Sequence, residues 1–172
     1  MNILEALKKR RSIRSFTEQK VEKEKIEILL QSAMYAPSAV NKQPWHFIVI
    51  DDRNIMEEIM KIHPNSKMFE TATLGILVCG DLQMQHGNGY WMADCGAATQ
   101  NILLAATASE LGSCWVGVFP REDRMKAFKE LFSLPAHVEA FALVALGYPA
   151  EEKKTPERYR PERVFLNTWG NS

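Results

Sequence analysis

A short basic stretch near the start of the chain, residues 8–16, carries the residue types best suited to binding an anion. It contains five cations and no acidic residue: Lys8, Lys9, Arg10, Arg11 and Arg14. Like charges this close repel one another, so a negative group outside the stretch should compensate them. One interpretation is a solvated basic helix end; the other is a phosphate site, where Arg forks and the hydroxyl of Ser12 donate to phosphate oxygens. Because the apolar Ile13 and Phe16 would tie the stretch to the core, the sequence favours the phosphate site.

A second polar stretch, called the proline loop, runs from Pro37 to Pro44. It carries a hydroxyl and two amide side chains, those of Ser38, Asn41 and Gln43. Taken alone it is an ordinary polar connector. The prolines restrict its backbone, however, and a stiff loop can aim hydroxyl and amide groups at a ligand. The residues alone leave both interpretations open.

The composition limits the classes of function. The 172 residues suffice for one domain, and 21 basic residues balance 21 acidic ones, which argues against nucleic acid or an anionic membrane as the main partner. The most apolar helical stretch, residues 92–108, is interrupted by Asp94, Gln100 and Asn101 and is too polar to span a bilayer. The chain begins without a signal-peptide pattern, so we expect a cytoplasmic protein.

The three cysteines, Cys79, Cys95 and Cys114, lie in apolar surroundings and show no CxxC spacing. This arrangement indicates buried free thiols in a reducing compartment. It predicts neither a disulfide framework nor a metal site.

Hydrophobic periodicity and breaker residues predict an alternation of helices and strands. Helices are expected at residues 2–9, 21–35, 54–62, 90–111 and 121–132, and core strands at residues 45–50, 73–80, 113–119 and 140–146. The basic stretch would then follow the first helix, and the proline loop would join the second helix to the first strand. Residues 83–89 are expected to form a mobile polar segment.

Three features indicate contact with a ligand or another chain. The helix predicted at residues 90–111, with Gly112 as its C-terminal cap, is crowded with small residues that allow close packing against helices of its own chain or of a partner. Gly117 lies inside a predicted strand, where glycine often marks the close approach of a ligand. The charged tail, residues 150–172, carries apolar residues that it cannot bury alone, and a second subunit is one option for covering them.

Four ordered motifs resemble those of the FMN-dependent nitroreductase family, and together they cover nearly the whole chain. In chain order they are RRSIRSF at residues 10–16, APS at 36–38 with NKQPW at 41–45, QN at 100–101 with CWVG at 114–117, and LGYP at 146–149 with RYRP at 158–161. The resemblance implies an α+β fold in which helices flank a mostly antiparallel central sheet, with residues 1–172 forming one FMN-binding domain. It also implies an intertwined homodimer with FMN at the subunit interface, the tail of each subunit embracing its partner.

Carried over position by position, the resemblance implies a set of FMN contacts. The residues at the phosphate and ribityl end would be Arg10, Arg11, Ser12, Arg14 and Arg160. The residues that approach the flavin ring from the other subunit would be Pro37, Ser38, Asn41 and Gln43. Lys67 would place a cation near the pyrimidine side of the ring, and the backbone around Val116 and Gly117 would face the ring near N5. Lys42 and His46 lie beside motif residues and receive no role.

The implied activity is that of an FMN-dependent oxidoreductase. In a ping-pong cycle NAD(P)H would give a hydride to flavin N5 and leave, and a nitroaromatic, quinone or similar small acceptor would then bind in its place. The flavin carries the chemistry, so no catalytic side chain is implied. A GxGxxG fingerprint is missing from the sequence, as expected if NAD(P)H binds only transiently. Residues 81–90 form only a brief insert where longer members build part of the substrate wall, so an open pocket is one outcome.

Two other functions follow from the same features. One is a flavin-binding protein of the same fold with another role, such as a dehalogenase, a flavin-fragmenting enzyme or a flavin carrier. The other is a polyanion-binding module without flavin that uses the basic stretch, which the neutral charge balance disfavours.

Overall fold

The computed structural model describes residues 1–87 and 89–170. The helices are α1 (Ile3–Lys9), α2 (Lys23–Met34), α3 (Arg53–Ile62), α4 (Tyr90–Ala108) and α5 (Glu122–Leu131). The strands are β1 (Trp45–Ile50), β2 (Leu74–Asp81), β3 (Gly112–Gly117) and β4 (Val138–Gly147), and short 3-10 turns occur at Ala39–Asn41, Lys67–Glu70 and Pro161–Arg163. Asn88 of the segment predicted to be mobile, and Asn171 and Ser172 of the tail, lie outside the described residues.

The strands form one antiparallel sheet in the order β1-β2-β4-β3. Trp45 of β1 lies opposite Gly80 of β2, and Gly117 of β3 lies opposite Ala142 of β4. Every residue of β2 is buried, because this strand has a neighbour on each side and is covered on both faces. The prediction of a mostly antiparallel sheet is confirmed, and β3 is left at an edge of the sheet.

Helices cover both faces of the sheet, which confirms the α+β fold. Successive strand residues point to opposite faces, so Leu143 and Val144 of β4 belong to different clusters of buried side chains. Val144 packs in the cluster formed with α2 and α4, to which Leu29 contributes. Leu143 packs in the cluster formed with α3 and α5, to which Ile59 and Phe128 contribute.

The basic stretch is tied to the core, as its two apolar residues predict. Ile13 and Phe16 are buried, and the N–H of Ile13 donates to the carbonyl of Ser113 in β3 over 2.9 Å. Two glycines of the sheet make this approach possible. A Cβ on Gly112 would lie 2.9 Å from Ile13 Cγ2, and a Cβ on Gly147 would lie 3.0 Å from Phe16 Cδ1.

The end of α4 differs from the prediction. The helix ends at Ala108, three residues before the predicted end at residue 111, and Gly112 is not its cap. Glu110 adopts the left-handed conformation instead, with φ 64°, and the N–H of Leu111 returns to the carbonyl of Ala106 over 2.8 Å. Gly112 was predicted to be the cap because glycine is the usual residue after a helix end. In the structure, the close packing of the N-terminal segment accounts for this glycine instead.

The other boundaries agree to within a few residues. β1 has the predicted limits, whereas β3 ends at Gly117, before the predicted end at residue 119, and β4 begins at Val138, two residues before its predicted start. The three cysteines are buried and unbridged, as predicted. None of the helices within the described ranges is long and apolar enough to cross a membrane.

Candidate functional site

A cavity of about 640 Å³ opens beside the free edge of β3, and we call it the edge cavity. Its volume lies within the range of small-molecule sites. Its lining includes four residues predicted from the sequence, namely Arg14, Lys67, Val116 and Gly117. The fold therefore brings residues from the basic stretch, the turn after α3 and the edge strand to one place.

The backbone at the end of β3 is open to close approach. The carbonyl of Gly117 accepts hydrogen bonds from His63 Nε2 over 2.9 Å and from Arg124 Nη1 over 3.0 Å, which shows that it points away from β4. Alternate strand residues direct their backbone groups to the same side, so the N–H of Gly117 and both backbone groups of Trp115 also face the free edge. A Cβ added to Gly117 would meet no atom within 4 Å. A flat ligand could therefore lie against this backbone and accept a hydrogen bond from it.

His63 fixes the carbonyl of Gly117 and is a residue that the sequence analysis missed. Its side chain is 1% exposed, and its Nδ1 accepts the N–H of Asn65 over 3.1 Å. The proton of a neutral ring must then sit on Nε2, which donates to Gly117. Burial lowers the pKa of His63, and the nearby Arg124 guanidinium lowers it further. The ring is thus held as a neutral donor behind the edge strand.

We expect this neutral ring to make stability depend on pH. The pKa of His63 is lower in the folded chain than its ordinary value of about 6.5, so the unfolded chain binds this proton first as the pH falls. The free energy of unfolding should therefore decrease as the pH drops through about 6.5 towards the folded pKa. His63→Gln keeps an N–H donor and does not titrate, so its unfolding should depend less on pH in this window. Urea unfolding of both proteins between pH 8 and about pH 5 measures the difference, and equal profiles would contradict the assignment.

Guanidinium groups cluster around Arg10, which is close to the cavity residue Cys114. Arg10 is partly buried, and burial lowers its pKa; the positive charges of Arg158 and Arg11 lower that pKa further. Within the described residues, the side chains of Arg10 and Arg14 make no hydrogen bond or ion pair. Arg158 belongs to the tail, where it is the first residue of the RYRP motif, and it was not among the predicted FMN contacts. The cluster is therefore short of negative charge and suits a doubly charged anion.

The start of the tail holds the backbone of the basic stretch in place. Glu151 Oε1 accepts the N–H of Arg14 over 2.6 Å, and Lys153 Nζ donates to the carbonyl of Ser12 over 2.8 Å. The bond from Arg14 lowers the pKa of Glu151. The guanidinium of Arg11 donates to the carbonyl of Lys154. In each of these hydrogen bonds one partner is a backbone group. The bonds therefore hold the basic stretch in position but do not compensate the charge of Arg10.

The other predicted residues lie outside the lining of the edge cavity in the described part of the chain. Ser12 adjoins it, since it pairs with Ser113 next to the cavity residue Cys114. Arg160 lies in the tail, where its Nη1 donates to the carbonyl of Tyr159 over 3.2 Å.

The proline loop forms a separate structure on the surface. The hydroxyl of Ser38 accepts the N–H of Gln43 over 2.9 Å, and Gln43 Nε2 donates to Asn41 Oδ1 over 3.1 Å. Pro37, Asn41 and Gln43 are exposed, as is Lys42. The loop thus presents its amide groups outward from the subunit and not into its own edge cavity.

Comparison with known proteins identifies relatives of the whole chain. A family model described as "Nitroreductase family" matches residues 7–63 and 62–148. A protein of Methanothermobacter thermautotrophicus, provisionally named NADH dehydrogenase/NAD(P)H nitroreductase, is 45% identical over 98% of this chain and 88% of its own length. The structure of an FMN-dependent nitroreductase from Clostridium difficile R20291 is similar with a TM-score of 0.90 and 30% identity, over 96% of this chain and 99% of that one. A nitroreductase-like structure from Desulfovibrio desulfuricans in complex with FMN is similar with a TM-score of 0.85 and 29% identity, over 98% of both chains.

Proposed function

The chain belongs to the nitroreductase family, and on that basis we propose that it is an FMN-dependent oxidoreductase that uses NAD(P)H to reduce a nitroaromatic, a quinone or a similar small acceptor. The observation that carries this proposal is the uncompensated guanidinium group of Arg14 in the same cavity lining as the open backbone of Gly117, with the guanidinium of Arg10 close to Cys114 of that lining. A phosphate group and a flat ring are what such a site would bind, and FMN contains both.

The phosphate would be held by the guanidinium cluster. Arg10 and Arg14 have free donors, and Arg158 adds charge from the tail. Each charge-assisted hydrogen bond to a phosphate oxygen contributes about 1.5–3 kcal/mol. Arg11, Ser12 and Arg160 remain proposed contacts at the same end of the ligand.

The ring would lie in the edge cavity against the end of β3. Val116 and Gly117 form the surface below it, and Lys67 would supply positive charge at its side. FMN, when bound, supplies the redox chemistry, accepting a hydride from NAD(P)H and passing electrons to the acceptor. The chain itself binds and orients: His63 and Arg124 fix the carbonyl of Gly117, so that the neighbouring backbone N–H groups keep their direction towards the cavity.

We also propose that two copies of the chain form a homodimer. Helix α1 exposes 62% of Ile3 and 65% of Leu4, and the tail exposes 70% of Leu166 and 89% of Trp169. Exposed apolar side chains on both segments are groups that an interface would cover. A second copy would cover it and would bring the outward-facing proline loop, with Pro37, Ser38, Asn41 and Gln43, towards the FMN of its partner.

We expect Leu166→Asp to shift the protein from dimer to monomer, because the charge would have to be buried in the interface. Light scattering coupled to gel filtration measures the mass. Asn167→Asp is the matched control: it adds the same charge one residue away, at a left-handed position (φ 61°) that Asp tolerates. A Leu166→Asp protein that stays dimeric at micromolar concentration would contradict the proposed role of the tail.

Steady-state oxidation of NADH and NADPH with a panel of nitroaromatics and quinones tests the activity. We expect turnover that requires FMN and gives parallel double-reciprocal plots, since donor and acceptor would use the same face of the ring in turn. A protein that binds FMN but turns over none of these acceptors would contradict the proposed activity and favour a flavin carrier.

A further inference from the structure

The proline loop contains a strained turn. Val40, Asn41 and Gln43 have φ values of 51°, 54° and 49°, in the left-handed region that L-residues rarely adopt. Asparagine tolerates this region, but a β-branched residue such as Val40 is an outlier there. Val40 is also 70% exposed, so its own side-chain packing does not hold the turn. Hydrogen bonds within the loop close the turn, among them the bond from the N–H of Asn41 to the carbonyl of Ser38 over 3.0 Å, and a contact with the rest of the fold would stabilise it further.

One contact from the core reaches this turn. Asp94, in the second turn of α4, is 5% exposed, and its Oδ1 accepts the N–H of Ala39 over 3.0 Å. Ala39 is the first residue of the 3-10 turn that contains Val40. The carboxylate therefore holds a backbone donor at the start of the strained segment, from a helix that is itself packed in the core.

We propose that Asp94 is the positioning residue that keeps the proline loop in its left-handed turn, so that Ser38 and Asn41 are presented to the FMN of the partner subunit. This inference depends on the proposed function for the ligand. Without Asp94 only the hydrogen bonds within the loop would hold the strained φ values, and the side chains of Ser38 and Asn41 would lose their fixed orientation. Asp94 makes no contact with the ligand in this account; it acts through the loop.

The second carboxylate oxygen makes the proposal easy to test. Asp94 Oδ2 is buried without a hydrogen-bond partner among the described residues. The Asp94→Asn variant keeps one side-chain oxygen that can accept the N–H of Ala39. Its amino group would take the position of Oδ2, which accepts no hydrogen bond from the described part of the chain. Asp94→Ala removes the acceptor and leaves an alanine, which suits a helix interior. The pair of variants thus separates the hydrogen bond to the loop from the charge.

The experiment measures FMN affinity by fluorescence titration and the exchange of the Ala39 amide by hydrogen exchange without FMN. We expect Asp94→Ala to raise the FMN Kd about tenfold and to speed exchange at Ala39, and Asp94→Asn to stay within about threefold of the wild-type Kd. Adding Val40→Gly to Asp94→Ala should restore the Kd to within about threefold of wild type, because glycine adopts the left-handed region freely. Val40→Ala is the matched control, since it removes the same branched side chain but still disfavours positive φ.

The outcomes separate the inference from the proposed function. Asp94→Ala with wild-type affinity and wild-type exchange at Ala39, or a failure of Val40→Gly to rescue, would overturn the role of Asp94. Failure of the wild-type protein to bind FMN would instead overturn the proposed function, and the inference with it.

Discussion

Arg10→Ala is expected to weaken FMN binding about 10- to 100-fold while leaving the fold intact. The side chain of Arg10 has no hydrogen-bond or ion-pair partner among the described residues, and the positive charges of Arg158 and Arg11 lower its pKa. A charge-assisted bond to phosphate is worth about 1.5–3 kcal/mol, and each 1.4 kcal/mol corresponds to about tenfold in affinity. Without ligand the variant loses repulsion and also the packing of a partly buried side chain, so its free energy of unfolding should stay close to that of the wild type. FMN fluorescence titration and urea unfolding measure the two quantities.

Arg121→Ala is the matched control for this variant. Its side chain is 62% exposed, pairs with Asp123 and does not line the edge cavity, so FMN affinity should not change. Arg160→Ala should weaken binding as well if the tail reaches the phosphate in the dimer. Wild-type FMN affinity in both Arg10→Ala and Arg160→Ala would show that the phosphate site lies elsewhere.

Gly117→Val is expected to abolish FMN binding without destabilising the protein. A Cβ at this position meets no atom within 4 Å, so the folded chain has room for the side chain. Valine also suits an edge strand better than glycine does. If the flavin ring lies against this backbone, the added groups occupy its place, and affinity should fall by at least about 100-fold, or roughly 2.8 kcal/mol. Isothermal calorimetry gives the affinity, and thermal unfolding of the FMN-free protein checks the fold.

Gly96→Ala provides the comparison for Gly117→Val. Gly96 lies in α4, where an added Cβ would be 3.8 Å from the nearest atom, the Cζ of Phe141, so the substitution also has room. It should raise the free energy of unfolding by about 0.5–1 kcal/mol and leave FMN affinity unchanged. Undiminished FMN binding by Gly117→Val would place the ring away from the end of β3.

Local patterns were sufficient for much of the fold and for part of the site. The run of aromatic and β-branched residues predicted β1 with its observed limits, because strand propensity depends on a few adjacent residues. The basic stretch was recognised for a similar reason, since its unbalanced charge is local in sequence. The structure then placed Arg14, Lys67, Val116 and Gly117 around one cavity.

The residues that the sequence analysis missed depend on contacts between distant parts of the chain. His63 directly follows the helix predicted at residues 54–62, and Arg124 lies in the helix predicted at residues 121–132. Only the packing of α3 and α5 on the same face of the sheet brings both to the carbonyl of Gly117. Arg158 meets Arg10 only because the tail returns along the basic stretch.

The end of α4 was misjudged for a different reason. Sequence rules favour glycine as a helix cap, but the left-handed residue is Glu110, a type that rarely adopts that conformation. The roles of Arg11, Ser12, Arg160 and the proline-loop residues stay predictions, because they depend on a ligand or on a second subunit.

Equilibrium binding of FMN to the purified protein, freed of any bound chromophore, tests the central claim most directly. We predict a yellow complex with one FMN per subunit, whose affinity falls as salt is added because guanidinium groups hold the phosphate. Riboflavin, which has the same ring without the phosphate, should bind at least about tenfold more weakly. A protein that stays colourless with excess FMN, or that binds riboflavin and FMN equally well, would contradict the account.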